Sequence, residues 1–171
     1  MPTVKAARDM NASSSKIWGV LSDYSNIQAF HPRVQTVDQL SDSDRGLGAK
    51  RRCNFYDKTS AVEEIIDWNE GQSFTVVITE AAMPVVDATA IMGVNKIDEH
   101  RSQVFLELTY TPKWGILGKI IDVVMLRMAM RRIFSQVLKG LQHHVETGEL
   151  IGNGKPTSSV SEPKATQLQQ G

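Results

Sequence analysis

Apolar residues recur along this chain with two different periods, and the change of period divides it into elements. Between Lys113 and Glu146, Leu117, Ile121, Val124, Met128, Phe134, Leu138, Leu141 and Val145 return mostly at three- and four-residue steps. That spacing predicts a long α-helix with these residues on one side. Lys119, Asp122, Arg127, Arg132, Lys139, Gln142 and Glu146 lie off the stripe, so one flank faces water and the other buries against a broad partner. At about 1.5 Å rise per residue such a helix spans roughly 45 Å.

From Val34 to Tyr110 the period is two, which predicts strands near 34–40, 47–56, 60–68, 72–80, 87–96 and 102–110. The connections are too short to hold crossover helices, so the sheet is expected to be an antiparallel meander with one face buried. Ahead of it, Val4, Ala6 and Met10 suggest a first strand over 3–10. A helix follows, capped by Asn11 or Ser13, with Ile17, Trp18, Val20 and Leu21 on its apolar face. The Asp23-Tyr24-Ser25-Asn26 cluster ends this helix or bends it into a second short one through Ile27 and Phe30. Pro32 then disfavours helical angles at His31.

Beyond Gly148 the composition turns to Gly, Pro, Ser, Thr and Gln, too little apolar surface to offset the entropy of ordering it. The expected organisation is a domain over 1–148 and a disordered tail over 149–171. The chain's 171 residues, 41% apolar content and formal net charge of zero suit one globular domain. A balanced charge gives no global basic field for nucleic acid. Cys53 is the only cysteine, which rules out an intramolecular disulfide. The apolar run from Trp114 to Leu138 is interrupted by Lys119, Asp122, Arg127, Arg131 and Arg132, and no signal-like run opens the chain. A cytoplasmic setting is expected.

Candidate chemistry is sparse. If Asp57-Lys58 forms a two-residue turn, Arg51 lies opposite Glu64 and Arg52 opposite Glu63. Neighbours on a strand point to opposite faces, so one of these pairs points inward. An inward Arg51 with Glu64 is either a structural pair at the sheet rim or an anchor for a ligand's polar head. Met83, Met92, Met125, Met128 and Met130 have the adaptable side chains that suit irregular ligands, and each taken singly reads first as core filler. Tyr110 and Trp114, where strand meets helix, suit either a pocket mouth or plain packing. His143 and His144 are adjacent on a helix, about 100° apart, and cannot both hold one metal. No metal or cofactor site is expected: glycine-rich phosphate loop, Cys-x-x-Cys pair and nucleophile elbow are all missing from the sequence. The basic run Arg127, Arg131, Arg132 and Lys139 reads as a solvated face or as a surface for anionic lipid headgroups, a peripheral membrane contact.

Several motifs carry a resemblance. Ala12 through Asp23, with Ile17-Trp18 and Leu21-Ser22-Asp23, is followed by Phe30-His31-Pro32 and Gly48-Ala49-Lys50-Arg51. Glu63 or Glu64 then precedes Trp68, and Thr111 through Gly118 leads into the last helix. In order and spacing these resemble the SRPBCC superfamily (START-like, helix-grip fold), in its polyketide cyclase/dehydratase and lipid-transport branch. The resemblance covers residues 3–147. It implies an α+β helix-grip fold: a curved antiparallel seven-stranded sheet wrapped around the long C-terminal helix, with two short helices after the first strand and an elongated apolar cavity between sheet and helix. Phe30, His31, Arg51, Glu64, Met83, Met92, Tyr110, Trp114, Met125 and Met128 are the candidates to line it. Two functions follow as expectations: a binding protein or carrier for a hydrophobic small molecule (lipid, isoprenoid or polyketide-like), or a metal-free cyclase/dehydratase of lyase type using the same cavity, in which Arg51, Glu64, Tyr110 or His31 moves protons. A docking module with a vestigial cavity is a third. The carrier reading is preferred, because no coupled acid-base pair is visible in the sequence.

Overall fold

The computed structural model describes residues 1–113, 118–153 and 155–157, with the side chains of 118–123 and 155–157 outside that description. Strand β1 (Thr3–Met10) is followed by helix α1 (Ser14–Ser22) and a 3₁₀ segment (Tyr24–Ala29). Then come β2 (Val34–Gln39), β3 (Lys50–Phe55), β4 (Ser60–Asn69), β5 (Ser73–Thr79), β6 (Val85–Lys96), β7 (Ser102–Pro112) and the long helix α2 (Gly118–Thr147). Strands β2 to β7 form the expected meander, and β1 joins the far edge beside β7, giving the seven-stranded antiparallel order β1-β7-β6-β5-β4-β3-β2. The two edge strands do not pair with each other, so the sheet stays open. Register shifts at Val34/Thr36, Ile65/Asp67 and Val85/Asp87 mark irregularities of the kind that bend a sheet.

Local chemistry accounts for the joints. Ser13 caps α1 by accepting a hydrogen bond from the Lys16 amide, satisfying one of the amides a helix start leaves open. Ile17, Trp18 and Leu21 are buried on one face of α1. The Trp18 and Trp68 indole N–H groups both donate to Glu70, at 2.8 Å each. Their rings lie 5.1 Å apart and both pack near Phe74. One carboxylate in the β4–β5 turn therefore ties α1 to the sheet.

Helix α2 buries Phe134, Leu138, Leu141 and Val145, as the stripe predicts for its C-terminal half, and Val137 beside them. Gly140 lies against the backbone of Phe30, and an added methyl group there would fall on the Phe30 carbonyl oxygen. The close approach requires glycine. In the N-terminal half the stripe is corrected: Val124 and Met128 are exposed, and Leu126, Met130 and Ile133 pack against the core instead. Leu117 lies outside the described residues, and so does the side chain of Ile121.

The chain also stays ordered past Gly148. Strands β8 (Leu150–Gly152) and β9 (Lys155–Thr157) form a small hairpin. Ile151 is buried beside Gly140, and the Glu149 side chain meets His143 Nε2 at 2.8 Å. The boundary expected at 148 cuts ahead of this hairpin, whose Ile151 is buried although composition alone marks the segment as tail. The expected tail over 158–171 lies outside the described residues.

Candidate ligand-binding site

Between the sheet and α2 lies a cavity of about 420 Å³, within the size range of small-molecule sites. Most of its wall is apolar. Phe74, Val76, Ala90, Met92, Leu106 and Leu108 come from the sheet, Ile27 and Phe30 from the 3₁₀ segment and its end, and Leu126, Ala129, Met130, Ile133, Phe134 and Val137 from α2. Strand alternation supplies the sheet residues and the helical period supplies those of α2. Ala81, Ala82, Met83 and Pro84 of the β5–β6 loop add to the apolar part.

Polar groups on the wall belong to the β3–β4 hairpin and the segment before β2: His31, Arg33, Arg51, Asp57, Thr59, Ser60 and Glu63, with Asp23. The β3–β4 register differs from the expected one. Phe55 donates its amide to the Thr59 carbonyl, and Lys58 adopts a left-handed φ of 66°, so Tyr56, Asp57 and Lys58 form a three-residue loop. Asp57 holds the loop by accepting from both the amide and the hydroxyl of Thr59. Arg51 thus pairs with Glu63, Lys50 with Glu64, and Arg52 with Val62.

Arg51 is buried. Its Nε and Nη2 donate to Glu63 Oε2 at 2.9 and 2.5 Å, its Nη1 donates to the Tyr24 carbonyl, and its guanidinium lies 3.7 Å from the Tyr24 ring centroid. The charge is thus balanced and its donors are largely committed. Arg33, nearer solvent, pairs with Asp57 at 2.9 Å. Both arginines on the cavity wall therefore carry their own carboxylates.

His31 is half-buried, and its ring lies 6.3 Å from that of Phe55. Burial pulls its pKa down to about 4, against the opposing pull of Glu63, so the ring is neutral at pH 7. Its Nδ1 accepts from the Arg33 amide at 3.2 Å, which assigns the proton to Nε2. Burial also pushes the Cys53 thiol up to about 12 and the Tyr24 phenol well above its ordinary range. Neither is a nucleophile or base at neutral pH. Among the described residues no three His, Cys, Asp or Glu side chains gather as metal ligands would.

Of the residues expected to line the cavity, Phe30, His31, Arg51, Met83 and Met92 do so. Glu64 instead pairs on the outer face with Lys50 at 3.1 Å. Tyr110 is buried in the core, off the cavity wall, with its hydroxyl unpartnered. Met125 and Met128 are exposed: they turn away from the sheet on the helix whose other side lines the cavity. Trp114 lies outside the described residues. Glu63, Arg33 and Asp57 were not singled out as cavity residues. Glu63 was within reach, since it differs from the expected partner by one step of register.

Comparisons with known proteins agree with this architecture. The chain resembles the Zhui aromatase/cyclase from Streptomyces sp. R1128 with a TM-score of 0.72 at 16% identity, over 85% of this chain and 93% of that one. An uncharacterized protein from Bacillus thuringiensis matches with a TM-score of 0.69 at 20% identity, over 85% and 99% of the two chains. The di-domain aromatase/cyclase BexL of the BE-7585A biosynthetic pathway matches with a TM-score of 0.70 at 13% identity, over 85% of this chain and 47% of that one. At these identities the likeness shows the fold. No curated protein sequence matches the chain. The sequence profile of one family matches residues 1–146. With its helix-grip architecture and apolar cavity, a hydrophobic ligand-binding fold, the chain belongs to the polyketide cyclase/dehydrase and lipid transport family.

Proposed function

We propose that this protein binds and carries a neutral, largely apolar small molecule of lipid, isoprenoid or polyketide-like character, without chemical conversion. One observation carries the reading: an apolar cavity whose two arginines are each already paired, Arg51 with Glu63 and Arg33 with Asp57. A ligand carboxylate or phosphate entering there would have to share a guanidinium with an existing carboxylate, at the cost of like-charge repulsion and desolvation. A carbonyl or hydroxyl head brings no such cost. The neutral His31 ring, with its proton on Nε2, offers that head one hydrogen bond. The apolar wall supplies affinity and the polar end supplies orientation.

The test compares two fluorescent probes of similar size, neutral N-phenyl-1-naphthylamine and the carboxylate cis-parinaric acid. The neutral probe should bind near one site per chain and the carboxylate more weakly. Met130→Trp, which fills the cavity from α2, should abolish binding while the fold persists. Failure of the neutral probe to bind folded protein overturns the reading, and native mass spectrometry of freshly purified protein would identify a retained ligand directly.

A cyclase/dehydratase-type enzyme is the second reading. It is favoured by the neutral His31 on the wall beside Arg51 and Glu63, in a fold shared with aromatase/cyclases. It requires turnover of a poly-carbonyl substrate that collapses in His31→Phe while probe binding survives.

A further inference from the structure

The outer side of α2 carries apolar surface that neither the core nor the cavity uses. Val124, Met125 and Met128 are 55%, 67% and 66% exposed on consecutive turns. Beside them Arg131, Arg132 and Lys139 are exposed as well. At about 100° per residue, Met128 lies between Arg131 and Arg132 around the helix, with Val124 one turn before it. From Gly118 to Lys139 the sequence holds Lys119, Arg127, Arg131, Arg132 and Lys139 against Asp122 alone, a net charge of 5 − 1 = +4 in a chain whose total is zero. Basic charge is thus concentrated on the helix that also exposes large apolar side chains. That helix lines the cavity with Leu126, Ala129 and Met130, and Val86, close in sequence to Met83 and Pro84 on the cavity wall, is 62% exposed.

We propose that this face of α2 docks on an anionic phospholipid bilayer, with Val124, Met125 and Met128 entering the headgroup–acyl boundary and Arg131, Arg132 and Lys139 meeting the phosphates. The pattern of apolar residues flanked by long basic side chains is the one an interfacial helix uses. The combination selects the occupant: apolar residues alone would suit a protein helix, whereas the three exposed cations Arg131, Arg132 and Lys139 on the same face call for an extended anionic surface. No described helix is long and apolar enough to cross a membrane, so the contact is peripheral.

Vesicle flotation of the full chain tests this, using vesicles of phosphatidylcholine alone and of phosphatidylcholine with about a quarter phosphatidylglycerol. The chain should float with the anionic vesicles, far less with the neutral ones, and less as salt rises. Arg131→Gln with Arg132→Gln should weaken partition roughly thirty-fold, the equivalent of about 1 kcal/mol for each charge near an anionic surface. Met125→Ser with Met128→Ser should abolish flotation, and Ile66→Ser, an exposed apolar position on the sheet, should leave it unchanged. These positions lie off the cavity wall, so neutral-probe binding should persist in every variant. The proposal is overturned if the parent fails to float with anionic vesicles, or if both double variants float as the parent does. It is also overturned if the methionine pair instead governs a concentration-dependent self-association, which would make a second copy the occupant.

Discussion

His31 makes the stability of this fold acid-sensitive in a defined window. In the unfolded chain the imidazole titrates near its ordinary value of about 6.5, whereas in the fold burial holds it near 4. Above pH 6.5 the ring is neutral in both states and stability does not depend on it. As pH falls from 6.5 toward 4 the unfolded state takes up a proton that the folded state refuses, so unfolding becomes easier; below 4 both states are protonated and the loss levels off. The largest loss is the gap of about 2.5 pH units at 1.36 kcal/mol each, or about 3 kcal/mol. His31 is only half-buried and borders a cavity that water can enter, so part of that penalty is relieved and about 1 to 3 kcal/mol is expected. Urea denaturation of the parent and His31→Gln at pH 7.5, 5.5 and 4.5 reads the difference, and comparing the two chains cancels carboxylates that titrate in the same range. The variant should lose less stability on acidification by that amount. Equal pH dependence in both chains would refute the claim that the fold holds His31 neutral.

Three other outcomes follow from the packing. Glu63→Gln leaves the buried Arg51 charge without its partner and should cost about 3 kcal/mol, read as a lower urea midpoint at unchanged slope; converting both residues, Arg51→Met with Glu63→Leu, should restore much of it. Leu138→Asp should unfold the domain at room temperature by circular dichroism, while Met128→Asp should leave the melting curve within a degree or two. Ile151→Ala should lower stability by about 2 kcal/mol in the same denaturation assay because the hairpin after α2 is docked by that side chain; no change would return the domain boundary to residue 148.

The strands and the β2-to-β7 meander were legible because period-two runs separated by short polar turns leave an antiparallel meander as the simple solution, whereas the place of β1 beside β7 was not. The helix was legible in extent and only partly in phase. The expected stripe steps six residues from Met128 to Phe134, and six residues miss two full turns by about 120°. Val124 and Met128, the described stripe positions before that step, were therefore assigned to the wrong side. The four-residue step from Phe134 back to Met130 keeps phase and leads on to Leu126, both of which line the cavity. The polar end of the site failed on a single backbone angle. Lys58 in the left-handed region lengthens the β3–β4 loop by one residue, and that residue decides whether Arg51 meets Glu63 or Glu64. A non-glycine residue at positive φ carries little sequence signal, so the alternation required one inward arginine while leaving open which one, and the partner expected for Arg51 came out one residue off.

The corrected phase of α2 gives the helix two separate apolar faces. Leu126, Met130 and Ile133 touch the cavity, whereas Val124, Met125 and Met128, interleaved with them in sequence, face outward. Under the proposed carrier and docking roles, ligand affinity would depend on the first set and on the neutral, paired polar end of the cavity, and membrane docking on the second. Substitutions outside should therefore change how fast a bound apolar probe passes to vesicles without changing its affinity for the protein in solution, and substitutions inside should do the reverse. A carrier needs that division, because the surface that meets the membrane must be tunable without loosening the grip on the cargo. An enzyme that keeps its substrate in the cavity until conversion has no such need of the outer face.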